Sequence, residues 1–259
     1  MRSAIVFFAA AALAPLVVSD AFLLDSLVLI LIWGSAAGAW NIARGYAGQI
    51  SLGHSAFFGL GAYAAALCGV RWNISPWFGL LIGAAAASAA GMVIGFLANR
   101  LRGPYFVIAT IAVSQVLLLG ASRWRGFQLA AVREDEDAAL SLGVPARRLK
   151  VAAIALSAAF TAVCGALWAQ YVGFVDPLYV FSIDLSIRFS LAAIIGGLGS
   201  ALGPFLGAVL VTTVETWLRA QFGGLGSHLV GLYLILYGVA LIVMVRYAPQ
   251  GLVGWIRPR

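Results

Sequence analysis

The chain has 259 residues, of which 63% are hydrophobic and only 10% charged, with a mean hydropathy of +1.02. A water-soluble domain of this length needs far more polar surface, so the composition excludes a soluble enzyme or binding module. The net charge of +7 does not mark a nucleic-acid binder, because the basic residues sit at the ends of apolar runs, where the positive-inside bias puts them.

Many of the apolar runs come close to the ~20 residues that cross a bilayer as a helix, and strand-period alternation is missing. The expected fold is all-α, a polytopic transmembrane helical bundle of about eight or nine apolar segments with discontinuous glycine-rich helices. Met1 to Asp20 has a basic start and an apolar run, Ala4 to Val18, with no clear small-x-small cleavage site after it. It reads as a retained first span. Phe22 to Trp40 is the second span, with Asp20 and Asp25 at its outer end. From Gly45 to Gly61 the chain reads GYAGQISLGHSAFFGLG, which does not suit a plain lipid-facing helix. Two readings fit: a broken segment lining a cavity, with backbone groups open to a solute, or close helix packing through small residues. Ala62 to Val70 completes that span.

Trp77 to Ala98 is an Ala- and Gly-rich span followed by Arg100 and Arg102. Gly103 to Gly120 is a further apolar run containing Thr110, Ser114 and Gln115. The long polar stretch comes next, Ser122 to Lys150, with six of the sixteen basic and four of the nine acidic residues. Phe127 to Leu142 is made of good helix formers, and Gly143 with Pro145 is a stop signal, which predicts a short amphipathic helix held in water. Leu149 to Val172 is a clean span, and Asp176, Pro177 and Asp184 make the opposite loop. Ile187 to Leu198 and Phe205 to Leu218 flank a second glycine-rich passage, GGLGSALGPFLGA, from Gly196 to Ala208. Leu229 to Val245 is the last span, before a basic tail. Leu52-Gly53 precedes Gly61-Ala62 at the same spacing as Leu198-Gly199 precedes Gly207-Ala208. A duplicated transporter would give this pattern, although among 30 glycines the signal is weak.

Much chemistry is absent. Lys150 is the one lysine and Leu149 precedes it, so no phosphate-binding loop of the G-x-x-x-x-G-K-[ST] type exists. His54 and His228 lack Cys or carboxylate neighbours at ligand spacing, and no metal or cofactor is expected. His54 reads as a satisfied core or cavity histidine. Cys68 and Cys164 lie in separate apolar segments, as buried thiols without a disulfide framework. An ion-driven carrier places carboxylates well inside its spans; only Glu215 qualifies, with Asp184 and Asp25 nearer span ends. Any energy source is expected in a partner.

Four passages, in order, resemble the LivM-type permease subunits of bacterial ABC importers for branched-chain amino acids: Asn41 to Tyr63, Leu101 to Thr110, Ala131 to Gly143 and Ile195 to Ala208. The resemblance implies one transmembrane permease domain over residues 1–259, working multi-pass in the bacterial inner membrane. It further implies cytoplasmic ATPase subunits, a second related permease subunit and a periplasmic substrate-binding protein as partners. Asp137-Ala138-Ala139 followed by Gly143 is similar to the E-A-A-x-x-x-G signature of importer coupling loops, with Asp for Glu. Residues 122–150 then form the cytoplasmic coupling loop, with Arg133, Glu134, Asp135, Glu136, Asp137, Ala138, Ala139 and Gly143 in the docking role. Where the family usually has two more arginines just upstream, this chain has Phe127 and Ala130. Gly48, Gln49, Ser51, Gly53, His54, Gly196, Gly197 and Gly199 are expected to line the solute path, with Thr110 and Gln115 as further polar candidates. The expected solute is a branched-chain or other apolar amino acid, with urea or short amides as the alternative within transport. A secondary carrier would need Glu215 and Asp184, and a shortened inactive copy would bind the ATPase and move nothing.

Topology sets a problem. With the N-terminus inside, Arg2, Arg44, Arg100 and Arg102 fall inside and Gly103 to Gly120 should exit. Yet the coupling loop, with its six basic residues, belongs inside too, which would make 13 of 16 basic residues cytoplasmic. Family members usually carry an outer loop and a further span at this point. Either Gly103 to Gly120 is re-entrant or the copy is shortened.

Overall fold

The computed structural model describes residues 20–73, 75–98, 104–122, 146–222 and 251–256, and among these there are helices and turns but no strand. Helix α1 is Ala21–Asn41 and runs into a π-helical turn at Ile42–Tyr46. It is followed by α2 (His54–Val70), α3 (Pro76–Ala98), α4 (Pro104–Ser122) and α5 (Ala146–Val172). Then come α6 (Pro177–Val180), α7 (Ile183–Gly196), α8 (Gly203–Phe222) and α9 (Gly251–Ile256). Among the described residues, three stretches are long and apolar enough to cross a membrane: Ala21–Tyr46, Trp77–Phe96 and Lys150–Val172. Two shorter apolar helices cover His54–Val70 and Tyr105–Leu118. The spans expected at Ala4 to Val18 and Leu229 to Val245, and the polar helix at Phe127 to Leu142, lie outside the described residues.

The run from Gly103 to Gly120 bears directly on topology. From Pro104 it belongs to one unbroken 19-residue helix, Pro104–Ser122, about 28 Å long at 1.5 Å per residue. Phe106, Thr110 and Ser114 are buried while Tyr105, Ile108, Ala112 and Val116 are exposed, so one face packs and the other is open. A re-entrant segment would have to break, and this one does not. The region expected as a loop around Asp176 and Asp184 also holds helices. The Asp176 carboxylate accepts from the Leu178 amide at 3.0 Å with Pro177 in the first turn of α6, and the Ser182 hydroxyl accepts from the Leu185 amide at 3.2 Å to start α7.

The chain divides into two compact units, Ala39–Ser190 and Met1–Gly38 with Leu191–Arg259, with α1 and α7 contributing to both. In the first unit α2, α3 and α5 pack on one another. In lipid there is little hydrophobic drive between helices, so close backbone approach must supply the contact. A Cβ on Gly61 would fall on the Ala162 carbonyl, and one on Gly165 on the Phe58 carbonyl. A Cβ on Gly83 would stand 2.9 Å from Gly61, and one on Gly91 2.8 Å from Ala158. Both contacts are shorter than real Cβ atoms tolerate. The core between them is Phe57, Ala87, Phe106, Ile154, Ala158 and Ala162. Phe58 packs on Trp168 and Phe189, with ring centroids 5.9 and 5.5 Å away, and Trp168 stacks on Tyr179.

In the second unit Gly34 lies against the Phe205 ring, and Gly207 against the backbone of Ala192. Helix α9 packs on α8, and Gly251 meets the backbone of Gly197.

Candidate translocation site

The first glycine-rich passage is a helix break. After the π-helical turn the chain leaves helical geometry at Ala47 and runs non-helically to Gly53, where α2 begins. Gly48 has φ +71°, in the left-handed region that favours glycine, and its carbonyl accepts from Arg44 Nη1 at 3.1 Å. The break frees backbone groups that an unbroken helix would satisfy, and several side chains take them up. Trp40 Nε1 donates to the Ser51 carbonyl at 2.6 Å. The Leu52 amide donates to Thr110 Oγ1 at 3.2 Å, and the Ser55 amide donates to Ser186 Oγ at 2.8 Å.

His54, the first residue of α2, is 0% exposed, and both ring nitrogens are engaged. Ser157 Oγ on α5 donates to the Ala39 carbonyl at 2.5 Å. Its one proton is thereby used, so at 2.7 Å it accepts from His54 Nε2–H. That fixes the neutral tautomer, and Nδ1 accepts from Ser51 Oγ at 3.1 Å. Ser51 Oγ in turn accepts from the Gly53 amide at 3.3 Å. Other buried hydroxyls of this unit turn back on backbone carbonyls of their own helices, Thr110 to Val107, Thr161 to Ser157 and Ser190 to Ser186 at 2.8 Å and Ser114 to Ile111 at 3.4 Å, while Ser55 Oγ donates to the Phe181 carbonyl at 3.4 Å. The side-chain Oε1 of Gln49 is different. It is buried and has no hydrogen-bond partner among the described residues, and such an orphan calls for an explanation.

Ser51, Gly53, His54 and Thr110 thus come together, with Gly48 and Gln49 on the same non-helical stretch. Gly53 stands where a Cβ would meet the Thr110 backbone and side chain. Gln115 is half-buried further along α4 and makes none of these bonds. Gly196, Gly197 and Gly199 belong to the other unit and form a second break at residues 197–202, between α7 and α8. Gly197 and Gly199 have φ +119° and +72°, and the Gly203 amide donates to Ser200 Oγ at 3.1 Å to start α8. Glu215 is half-buried on α8 and Asp184 is exposed in the first turn of α7. The expected coupling residues, Arg133 to Ala139 and Gly143, lie outside the described residues. Sequence reasoning did not find Trp40, Ser157 or Ser186. Trp40 and Ser157 sit in apolar runs and Ser186 beside the expected loop at Asp184, and nothing local marks any of them as the partner of a distant break.

No solved structure matches the chain. The high-affinity branched-chain amino acid transport system permease proteins LivM of Escherichia coli K12 and Salmonella typhimurium LT2 are each 26% identical to it over 293 residues. Each alignment covers 85% of this chain and 67% of the relative. A probable branched-chain amino acid transport permease protein LivM of Methanocaldococcus jannaschii is 23% identical over 171 residues, covering 62% of this chain and 50% of its own. Since 85% of 259 is about 220, about 70 of the 293 aligned positions stand opposite gaps in this chain. The family described as "Branched-chain amino acid transport system / permease component" matches in two stretches, residues 22–125 and 116–245, which overlap around the end of α4. With apolar helices among the described residues and the two matches together covering residues 22 to 245, the chain belongs to this family of transmembrane ABC transporter permeases.

Proposed function

We infer that the chain is the translocation subunit of an ATP-driven importer in the bacterial inner membrane, moving a branched-chain or other apolar amino acid into the cytoplasm by alternating access. It has no ATPase site of its own; hydrolysis takes place in cytoplasmic subunits that dock on the loop at residues 122–150. A second related permease subunit completes the membrane domain, and a periplasmic binding protein delivers the solute. Family membership and the helix breaks support this reading, since transporters place solute sites where discontinuous helices free backbone groups near mid-membrane. The observation that carries it is Gln49, a polar side chain on the non-helical stretch whose buried oxygen has no partner among the described residues. An ammonium or amide group of the solute supplies one. In the complex reconstituted with its partners, Gln49→Leu should reduce uptake roughly tenfold or more, as expected for losing one hydrogen bond to a charged group, while assembly stays intact. Unchanged uptake would remove Gln49 and its stretch from the path. Competition by urea or acetamide in the same assay would favour a short-amide importer instead.

A second reading has its own support. The roughly 70 relative positions without a counterpart here and the unbroken α4 would fit a copy shortened by a span. If the wild-type complex hydrolyses ATP but takes up no amino acid, the chain is a subunit that binds the ATPase without transporting.

A further inference from the structure

The turn that ends α1 brings a charged side chain to the helix break. Gly48 closes this end with a left-handed φ of +71°, and its amide donates to the Arg44 carbonyl at 3.1 Å, the bond of an αL cap. The Gln49 amide reaches further back, to the Ala43 carbonyl at 2.9 Å, and Ala43 is fully buried. Gln49 is therefore folded over the π-helical turn instead of leading away from it. The Arg44 side chain closes the same loop from the other side. Its Nη1 donates to the Gly48 carbonyl at 3.1 Å, and that carbonyl belongs to the peptide joining Gly48 to Gln49. Backbone and side chain of Arg44 thus both hold Gly48, and the guanidinium rests on the peptide next to the Gln49 side chain.

The turn thereby joins a cation and an acceptor. Beyond the N–H at Nη1, an arginine carries further donors in one plane, and among the described residues no carboxylate pairs with Arg44. The positive-inside bias accounts for a basic residue at this end, but any side chain reaching water serves that bias. Arg44 is instead half-buried and turned onto the Gly48–Gln49 peptide. Gln49 Oε1 is a buried acceptor with no partner among the described residues, the guanidinium included. A cation and an acceptor on one turn, not bonded to each other, suit a ligand with one negative and one positive group on the same carbon. A carboxylate matches the planar fork of an arginine, and a bond to a charged group is about twice as strong as one to a neutral carbonyl. The pair therefore favours a zwitterion over urea or an amide, whose oxygen bears no full charge.

We propose that Arg44 and Gln49 bind the head of a zwitterionic α-amino acid, with Arg44 Nε and Nη2 on the carboxylate and Gln49 Oε1 on the ammonium. The proposal rests on the translocation reading and makes Arg44 the residue that selects an amino acid over an amide. The full-length chain, purified in detergent, is titrated by saturation-transfer NMR, which reads weak binding. The probes are leucine, isoamylamine, which lacks the carboxylate, and isocaproate, which lacks the ammonium. Wild type should bind leucine roughly tenfold or more tightly than either analogue, as expected for one bond to a charged group. Arg44→Gln should weaken leucine by a similar factor and leave isoamylamine unchanged, whereas Gln49→Leu should weaken leucine and leave isocaproate unchanged. Arg44→Lys keeps the charge without the fork, and it provides the same readout should Arg44→Gln not elute as folded protein. A merely structural role for Arg44 would weaken all three ligands alike. That outcome, unchanged leucine binding in the Arg44 variants, or wild type that binds leucine no better than isoamylamine overturns the proposal. Uptake by the reconstituted complex is scored separately. Binding in the expected pattern without uptake overturns the translocation reading and leaves the site standing; uptake of leucine with wild-type binding by Arg44→Gln does the reverse.

Discussion

Replacing Ser157 with alanine removes the one oxygen that joins α5 to the helix break. The His54 Nε2–H loses its acceptor at 2.7 Å in a place where both residues are 0% exposed and no water can substitute. Leaving one such buried donor unsatisfied costs about 1–3 kcal/mol. The Ala39 carbonyl also loses a donor, a lesser matter because a carbonyl has two lone pairs. For a chain of this size each kcal/mol moves the unfolding midpoint by about 2–4 °C, so Ser157→Ala should fall by roughly 2–12 °C. The assay is thermal unfolding of the purified full chain in detergent, followed by tryptophan fluorescence. Ser157→Thr keeps the hydroxyl and should lose less. The sharper test is a double-mutant cycle with His54→Leu. Once the imidazole donor is gone, Ser157→Ala should cost under about 1 kcal/mol, which leaves a coupling of roughly 1–2 kcal/mol. An unchanged midpoint in Ser157→Ala, or the same drop in both backgrounds, would refute the network as drawn.

Two further predictions concern packing and topology. Gly61→Ala should abolish monodisperse protein, since its Cβ falls on the Ala162 carbonyl, while Gly69→Ala, with nothing within 4 Å, should change stability by no more than about 1 kcal/mol; similar elution profiles for the two would contradict the packing. With Cys68 and Cys164 first replaced by alanine, Ser141→Cys should be protected from an impermeant thiol reagent outside intact cells and Ser182→Cys labelled, because the opposite arrangement carries six basic residues outward. Strong outside labelling at position 141 would mean that this chain cannot dock an ATPase through that loop.

The sequence displays the membrane helices readily. Trp77 to Ala98 and Leu149 to Val172 match α3 and α5 to within a few residues, since long apolar runs admit one structure in lipid. The break before α2 is legible too, because Gly48 and Gly53 occupy positions where a side chain would force strain or collision. What ties the break down is not legible. Ser157 and Thr161 look alike in sequence, one turn apart in the same apolar run. Yet one bonds a histidine 103 residues away and the other its own helix, and only tertiary contact separates them. The helix at Pro177–Val180 and the first turn of Ile183–Gly196 read as loop because their caps, Asp176 and Ser182, carry the same polarity as a turn, while Ile187 onward reads as an apolar segment.

The close packing of α5 has a mechanical consequence. The helix is 27 residues long, about 40 Å, and begins where the segment at residues 122–145 hands over. Gly91 and Gly165 seat it directly on neighbouring backbone, with no long side chain between to yield. Such a helix transmits displacement as a push-rod does, with little loss along its length. A tilt imposed at Ala146 reaches Ser157 eleven residues on, about 17 Å away, and passes through His54 to Ser51 and the non-helical stretch. At the end of this linkage stands Gly48, with a left-handed backbone, open space where a side chain would stand, and hydrogen bonds to Arg44 alone holding it to the preceding turn. Any displacement of the start of α5 would therefore meet a stiff helix first and a stretch held by few contacts last.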